Sequence, residues 1–165
     1  MVDSGQVWWY HKFSGHISTN FNKGRRMYFL TGEYDHQIDA KNRIRIPGKL
    51  RGKEEKLYFT KGTDGCIFVF YESAIKEKFA KLEEMKMTDA NPRKGARAFS
   101  YSVKQVDVDQ QGRLVIPQEL IKYANIVKDV KICGAVSRIE IWAKETYDKY
   151  FEGDNFDDNF DLLDI

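Results

Sequence analysis

The sequence has 165 residues, of which 42% are hydrophobic and 32% charged, and it contains two cysteines, Cys66 and Cys133. This composition supports a folded core in one or two small domains and excludes a collagen-like fibre or a disulfide-rich secreted domain. No apolar run approaches the roughly 18 to 20 residues of a membrane span, and no leader typical of a signal peptide is recognisable, so we expect a cytoplasmic protein.

The net charge of +2 hides a segregation of charge along the chain. Residues 1–26 carry +3, residues 27–151 carry +5, and residues 152–165 carry −6. A basic body with an acidic end favours a nucleic-acid partner. The acidic tail, residues 152–165, has two interpretations: a solvated end, or an autoinhibitory strip that competes for the basic surface.

The first recognisable pattern is D-A-K-N-R-I-R-I-P at residues 39–47, which predicts a tight turn followed by a short strand. Asn42 tolerates the left-handed backbone that such a turn demands. Asp39 can accept hydrogen bonds from turn amides and can pair with Arg43. Alternation along the strand then places Ile44 and Ile46 on one side and Arg43 and Arg45 on the other.

Two strands and a helix are predicted next. The strands, at residues 56–59 and 66–70, flank T-K-G-T-D-G, which is typical of a hairpin loop. Residues 73–87 have the apolar spacing of a helix, and we interpret this stripe as core or oligomer packing rather than as a cofactor site. Residues 88–98 form a basic link, either solvated or helical from Pro92.

The same order then recurs about 70 residues later. Residues 109–117 read D-Q-Q-G-R-L-V-I-P, with Gly112 in the place of Asn42. A short helix after Pro117, an apolar strand at residues 138–142 and a helix at residues 143–151 complete the second copy. Such self-similarity predicts tandem copies of one small unit that share a core, because so short a unit buries little surface alone.

The paired D-x-x-x-R patterns, Y-F-L-T-G at residues 28–32, the basic link and S-R-I-E-I-W at residues 137–142 together resemble the MraZ family over roughly residues 27–151. The resemblance implies an α+β fold of tandem, pseudo-symmetric, AbrB-like swapped-hairpin halves in one compact unit. The first unit would span residues 33–80, a basic helical linker residues 81–103, and the second unit residues 104–147. Residues 1–26 match nothing in the family, and we expect them to be a disordered extension or an upstream, mis-assigned start.

The resemblance also implies a function. Members of the family are sequence-specific DNA-binding regulators that form ring-shaped homo-oligomers, bind short direct repeats upstream of their own operon, and usually repress it. The chain is then expected to be nucleoid-associated and to repress a division and cell-wall gene cluster that includes its own gene.

Charge separates the two copies without reference to the family. Residues 39–56 carry a net charge of +4, whereas the equivalent residues 109–126 carry none. Because local positive charge drives phosphate binding, we expect the first copy to contact double-stranded DNA and the second to act mainly as a scaffold.

Roles follow from side-chain chemistry. We expect Arg43 and Arg45 to read guanine in the major groove, since the arginine fork suits bidentate contact with O6 and N7. Lys41, Lys49 and Arg51 are candidates for phosphate contacts. A structural role competes with the DNA-binding role for Arg43, which can pair with Asp39, and we expect a structural role for Arg113, which can pair with Asp109.

Nothing in the sequence indicates catalysis. His11, His16 and His36 have no cysteine or carboxylate at metal-binding spacing, no nucleotide-binding or nucleophile motif is present, and both cysteines are expected to pack as small hydrophobic residues. We therefore expect no enzymatic activity, metal, cofactor or small-molecule substrate. Two alternatives stay open: another AbrB-like DNA binder such as an antitoxin, which usually carries one copy per chain, and a ring that binds an acidic protein.

Overall fold

The protein is described from a computed structural model that covers residues 29–85, 88, 90–155, 158–159 and 162–163. The extension expected at residues 1–26 lies outside the described residues. So do residues 156–157, 160–161 and 164–165 of the acidic tail and residues 86–87 at the end of the helix predicted over 73–87.

The same order of strands and helices occurs on both sides of a central helix. The first half comprises β1 (Glu33–Gln37), β2 (Arg43–Ile44), α1 (Gly48–Arg51), β3 (Lys56–Lys61), β4 (Ile67–Tyr71) and α2 (Glu72–Glu84). The central helix is α3 (Ala90–Ser102). The second half comprises β5 (Lys104–Asp107), β6 (Leu114–Val115), α4 (Gln118–Tyr123), β7 (Asp129–Ala135), β8 (Arg138–Ala143) and α5 (Lys144–Tyr150).

A six-stranded antiparallel sheet has the order β1-β7-β8-β4-β3-β5. When each strand is replaced by its counterpart in the other half, the result is the same order read from the opposite edge of the sheet. The midpoint is the pairing of Phe68 with Glu140, where β4 meets β8. The first strand of each half pairs with the hairpin of the other half: β1 pairs with β7 of the β7–β8 hairpin, and β5 pairs with β3 of the β3–β4 hairpin.

The strands of the two repeated patterns, β2 and β6, pair with each other rather than with the sheet. We call residues 42–46 and 112–116 the motif ribbon. Its inward side chains are almost fully buried: Ile44 is 2% exposed, Ile46 1%, Leu114 1% and Ile116 0%. They join one apolar cluster with the sheet residues and with Leu50 and Leu120 of the short helices that follow each pattern. The motif ribbon is thus anchored by the main core.

The opposite face of the first half of the sheet is covered by α2 and α3. Phe70 there packs with Ala74 and Ile75, and the rings of Phe79 and Phe99 lie 5.8 Å apart across the two helices. This confirms the prediction that the stripe of α2 serves packing. α3 begins at Ala90, so that Pro92 lies in its first turn, where its missing amide costs no helical hydrogen bond.

The predicted end of the first hairpin strand was wrong. β3 continues to Lys61, two residues beyond the predicted end at Phe59. Thr60 is 0% exposed, and its hydroxyl shares a buried hydrogen bond with the hydroxyl of Ser102 at the end of α3. The segment T-K-G that begins at Thr60 has the composition of a loop. The hydrogen-bond partner that allows Thr60 to be buried comes from α3, which packs onto the strand.

Candidate nucleic-acid interface

The first repeated pattern folds as a turn organised by the carboxylate of Asp39. Its Oδ1 accepts hydrogen bonds from the amides of Lys41 at 2.8 Å and Arg43 at 2.9 Å, and its Oδ2 accepts one from Nε of Arg43 at 2.6 Å. Asn42 has φ 58°, the left-handed conformation that asparagine tolerates. The hydrogen bond from the Arg43 amide is the largest cause that lowers the pKa of Asp39 to about 2, so the carboxylate is ionised at neutral pH.

The second pattern repeats this arrangement. Oδ1 of Asp109 accepts hydrogen bonds from the amides of Gln111 and Arg113, each at 2.8 Å, and its Oδ2 accepts one from Nε of Arg113 at 2.9 Å. Gly112 has φ 74°, and the pKa of Asp109 is lowered, first of all by the hydrogen bond from the Arg113 amide. The ion pairs expected in both patterns are therefore present.

Both arginines are held by their aspartates in the same way. Nε of Arg43 donates to Oδ2 of Asp39 at 2.6 Å, and Nε of Arg113 donates to Oδ2 of Asp109 at 2.9 Å. A guanidinium held through Nε keeps its terminal nitrogens as donors for a second acceptor. The ion pair of Arg43 is consequently compatible with a further contact, and it orients the side chain for one.

The outer face of the motif ribbon combines side chains from both copies. Arg43 is paired with Val115 and Ile44 with Leu114. Since Ile44 and Leu114 point inward, Arg43 and Val115 share the outer face, where Val115 is 53% exposed. Exposed Arg45 crosses the ribbon, and its Nη2 donates to the carbonyl of Gln111 at 2.7 Å.

The register of this strand pair was not available from the sequence. The repeat alignment matches Val115 with Arg45, its equivalent position, but the pairing sets Val115 opposite Arg43. No local signal reveals which strands of two copies will pair, because that is decided by long-range contacts. Strand alternation in the second pattern predicts that Val115 faces outward, and its exposure confirms this, but the sequence did not reveal that Val115 lies opposite Arg43.

The other predicted site residues lie around the motif ribbon. Lys41 and Lys49 are exposed. Arg51 is half-buried: its Nη1 donates to the carbonyl of Glu54 at 3.1 Å, and its Nη2 lies 4.0 Å from the position of a Cβ on Gly112, beside the second turn. Asn42 links the two copies, because its Nδ2 donates to Oε1 of Gln118 at 2.6 Å.

Cys66 is buried, as expected of a packed residue, whereas Cys133 is only half-buried. Burial raises the pKa of Cys66 to about 12 and that of Cys133 to about 11, so both thiols are protonated at neutral pH. In the part of the chain that the structure describes, no group of three or more histidine, cysteine or acidic side chains is arranged to hold a metal ion. None of the helices described there combines the length and apolar character needed to cross a bilayer.

Comparison with known proteins gives consistent matches over both halves. The family model described as "MraZ protein, putative antitoxin-like" matches residues 29–97 and 102–162, which include both repeated patterns. A protein of Acetivibrio thermocellus named transcriptional regulator MraZ is 42% identical over 125 residues, which cover 75% of this chain and 87% of the relative. A protein of the same name from Finegoldia magna is 41% identical over 134 residues, which cover 79% of this chain and 94% of the relative. Another from Clostridium tetani is 40% identical over 120 residues, which cover 72% of this chain and 84% of the relative.

Proposed function

The chain belongs to the MraZ family, and from this premise we propose that it is a transcriptional regulator that binds specific DNA sequences. The name of its relatives, transcriptional regulator, indicates a regulatory rather than an enzymatic family. The observation that carries the proposal is the outer face of the motif ribbon, where Arg43 lies in the β2–β6 strand pair and Arg45 follows it and bonds across to Gln111.

DNA recognition is assigned to the first copy. Arg43 reads a guanine edge with its terminal nitrogens while Asp39 holds Nε, an arrangement that limits the entropy lost on binding. Arg45 is the second base-reading candidate, and it exchanges its hydrogen bond to Gln111 for one to DNA. Lys41 and Lys49, both exposed, contact phosphates and fix the register of the protein on the duplex.

Arg51 is a weaker candidate for a phosphate contact than Lys41 and Lys49. Its Nη1 is bonded to the Glu54 carbonyl, and its Nη2 lies beside the second turn. We keep it as a phosphate candidate that must first leave the Glu54 carbonyl, so its replacement is expected to cost less binding than that of Lys41.

We further propose that the fold consists of tandem AbrB-like, swapped-hairpin halves. The symmetric strand order and the exchange of β1 and β5 between the halves support this classification. The proposed units are residues 33–80 and 104–147, joined by residues 81–103. In this arrangement the second copy holds the first in place through the β2–β6 pair and through Asn42 and Gln118.

Assembly and regulation are proposed from the family. Several copies form a ring, each offering one motif ribbon, and the ring binds short direct repeats upstream of its own division and cell-wall gene cluster as an autorepressor in the nucleoid. Multivalent contact converts weak single-site binding into tight binding through effective concentration. Affinity is therefore expected to depend steeply on both oligomerisation and the number of repeats.

Fluorescence anisotropy tests this function. The probes are labelled duplexes that tile the DNA upstream of the chain's own gene, with scrambled duplexes of equal length and composition, at two salt concentrations. The proposal predicts preferential binding to one upstream duplex, together with an affinity that falls as salt rises, because counterions are released from the phosphates. Equal, weak binding to upstream and scrambled duplexes would contradict it and would favour an acidic protein partner.

An antitoxin function is the second candidate, and the antitoxin-like description of the matched family favours it. Such a protein binds its own promoter and also a toxin. Co-expression with the product of each neighbouring gene distinguishes the two: relief of growth arrest by the chain supports the antitoxin, and specific DNA binding without such relief supports the regulator alone.

A further inference from the structure

Strand pairing in the motif ribbon sets an apolar side chain among the basic ones. Val115 is 53% exposed, whereas its neighbours Leu114 and Ile116 are 1% and 0% exposed. The exposure of Val115 is therefore a consequence of strand alternation on an anchored ribbon, which fixes the direction of its side chain.

Val115 also lies close to Arg43. The amide of Ile116 donates to the carbonyl of Asn42 at 2.9 Å, so the next pair along the ribbon, Arg43 with Val115, is of the non-hydrogen-bonded type. In that type the side chains of opposite residues lie closest, with Cβ atoms about 4.5 to 5.5 Å apart. The polar side chain of Arg43 and the apolar side chain of Val115 thus leave the ribbon side by side on its outer face.

We propose that Val115 is a specificity-determining residue that contacts the 5-methyl group of a thymine beside the guanine read by Arg43. The inference rests on the proposed DNA-binding function and extends it, because it assigns a base contact to the second copy. A two-stranded β-ribbon fits the major groove, where thymine presents its methyl group and guanine its two acceptors.

The spacing of the pair is compatible with contacts to neighbouring base pairs. Successive bases along one strand are about 3.4 Å apart, and the two Cβ atoms are about 4.5 to 5.5 Å apart, so each side chain can face a different base pair. The valine side chain has no hydrogen-bond donor or acceptor, so it does not interfere with the bonds between Arg43 and the guanine. Its contact with a methyl group is favourable because apolar surface is removed from water. The expectation that the second copy acts mainly as a scaffold is kept, with a base contact added at this one position.

The test is a double-mutant cycle between one side chain and one methyl group. In the bound upstream duplex, each thymine is replaced in turn by deoxyuridine, which removes only the 5-methyl group. Wild-type protein, Val115→Ala and the control Val136→Ala are titrated against each duplex by anisotropy. Val136 is a matched control, because it is 73% exposed but lies outside the motif ribbon, between β7 and β8, where it is bridged to Leu30.

The expected result is one thymine position per repeat at which deoxyuridine weakens wild-type binding about fourfold, the change that burial of one methyl group predicts. Val115→Ala weakens binding to the thymine duplex by a similar factor and loses the difference between thymine and deoxyuridine at that position. Val136→Ala keeps both the wild-type affinity and the weaker binding to the deoxyuridine duplex at that position. Val115→Thr, which retains one methyl group and the branched shape, is expected to keep part of the difference.

Three results would overturn the inference in distinguishable ways. If the deoxyuridine effect persists in Val115→Ala, another residue reads the methyl group. If no thymine position responds although the upstream duplex is preferred over the scrambled one, the inference is wrong and the proposed function stands. If the upstream duplex is not preferred at all, the proposed function fails and the inference fails with it.

Discussion

Leu114→Ala is the substitution that best tests whether the motif ribbon is anchored by the core. Leu114 is 1% exposed and belongs to the main apolar cluster. The substitution removes three buried carbon atoms, which at about 0.8 kcal/mol each amounts to about 2.4 kcal/mol before the cavity is counted. With the cavity, we expect a loss of about 3 kcal/mol in the free energy of unfolding, within the range of about 2 to 5 kcal/mol found for buried leucines.

The assay is thermal and urea unfolding followed by circular dichroism at one fixed protein concentration, since assembly also affects stability. A loss of about 3 kcal/mol corresponds to a fall in Tm of about 6 to 12 °C for a chain of this size. Val115→Ala is the matched control: it truncates the adjacent, 53% exposed side chain and is expected to change the free energy of unfolding by less than about 0.5 kcal/mol. Equal, small effects of the two substitutions would refute the packing of the ribbon against the sheet.

Three further predictions follow from the turns and the thiols. The pKa of Asp39 is lowered from 3.8 to about 2. Its ionised form therefore stabilises the fold fully above pH 3.8, and this contribution is lost as the pH falls towards 2. Asp39→Asn should lower the stability measured by urea unfolding at pH 7 but not at pH 2. Gly112 has φ 74° and an open Cβ position, so Gly112→Asn should leave Tm nearly unchanged, whereas Gly112→Val should cost about 1 to 3 kcal/mol; equal Tm values would contradict this. Cys66 and Cys133 should resist iodoacetamide at pH 8 until urea unfolds the protein, as mass spectrometry can check, because burial raises both pKa values.

Local chemistry explains why the repeated turns could be predicted. Asp39 and Asp109 stand four residues before an arginine, and Asn42 and Gly112 occupy the one position with a positive φ in each turn. These features depend on a few consecutive residues, so spacing alone specifies them. The MraZ membership expected from the same patterns is confirmed by the family match over both halves.

The exchange of strands between halves could not be predicted in the same way. β1 has exposed charged residues on an edge, and nothing within it indicates that it pairs with β7 rather than with the hairpin of its own half. The pairing depends on contacts between distant parts of the chain, among them that of β2 with β6. For the same reason the position of Val115 opposite Arg43, which carries the further inference, is a property of the assembled fold.

A comparison of the two repeated arginines on DNA tests most directly whether the first copy recognises DNA. Arg43→Ala and Arg113→Ala remove the same side chain from equivalent turns, and thermal unfolding measures the structural cost of each. We expect Arg43→Ala to lose specific binding to the upstream duplex, by about 1 to 3 kcal/mol per engaged site, and Arg113→Ala to retain it after correction for folded protein. Equal losses of specific binding in both variants, or a loss with Arg113→Ala alone, would contradict the assignment of DNA recognition to the first copy.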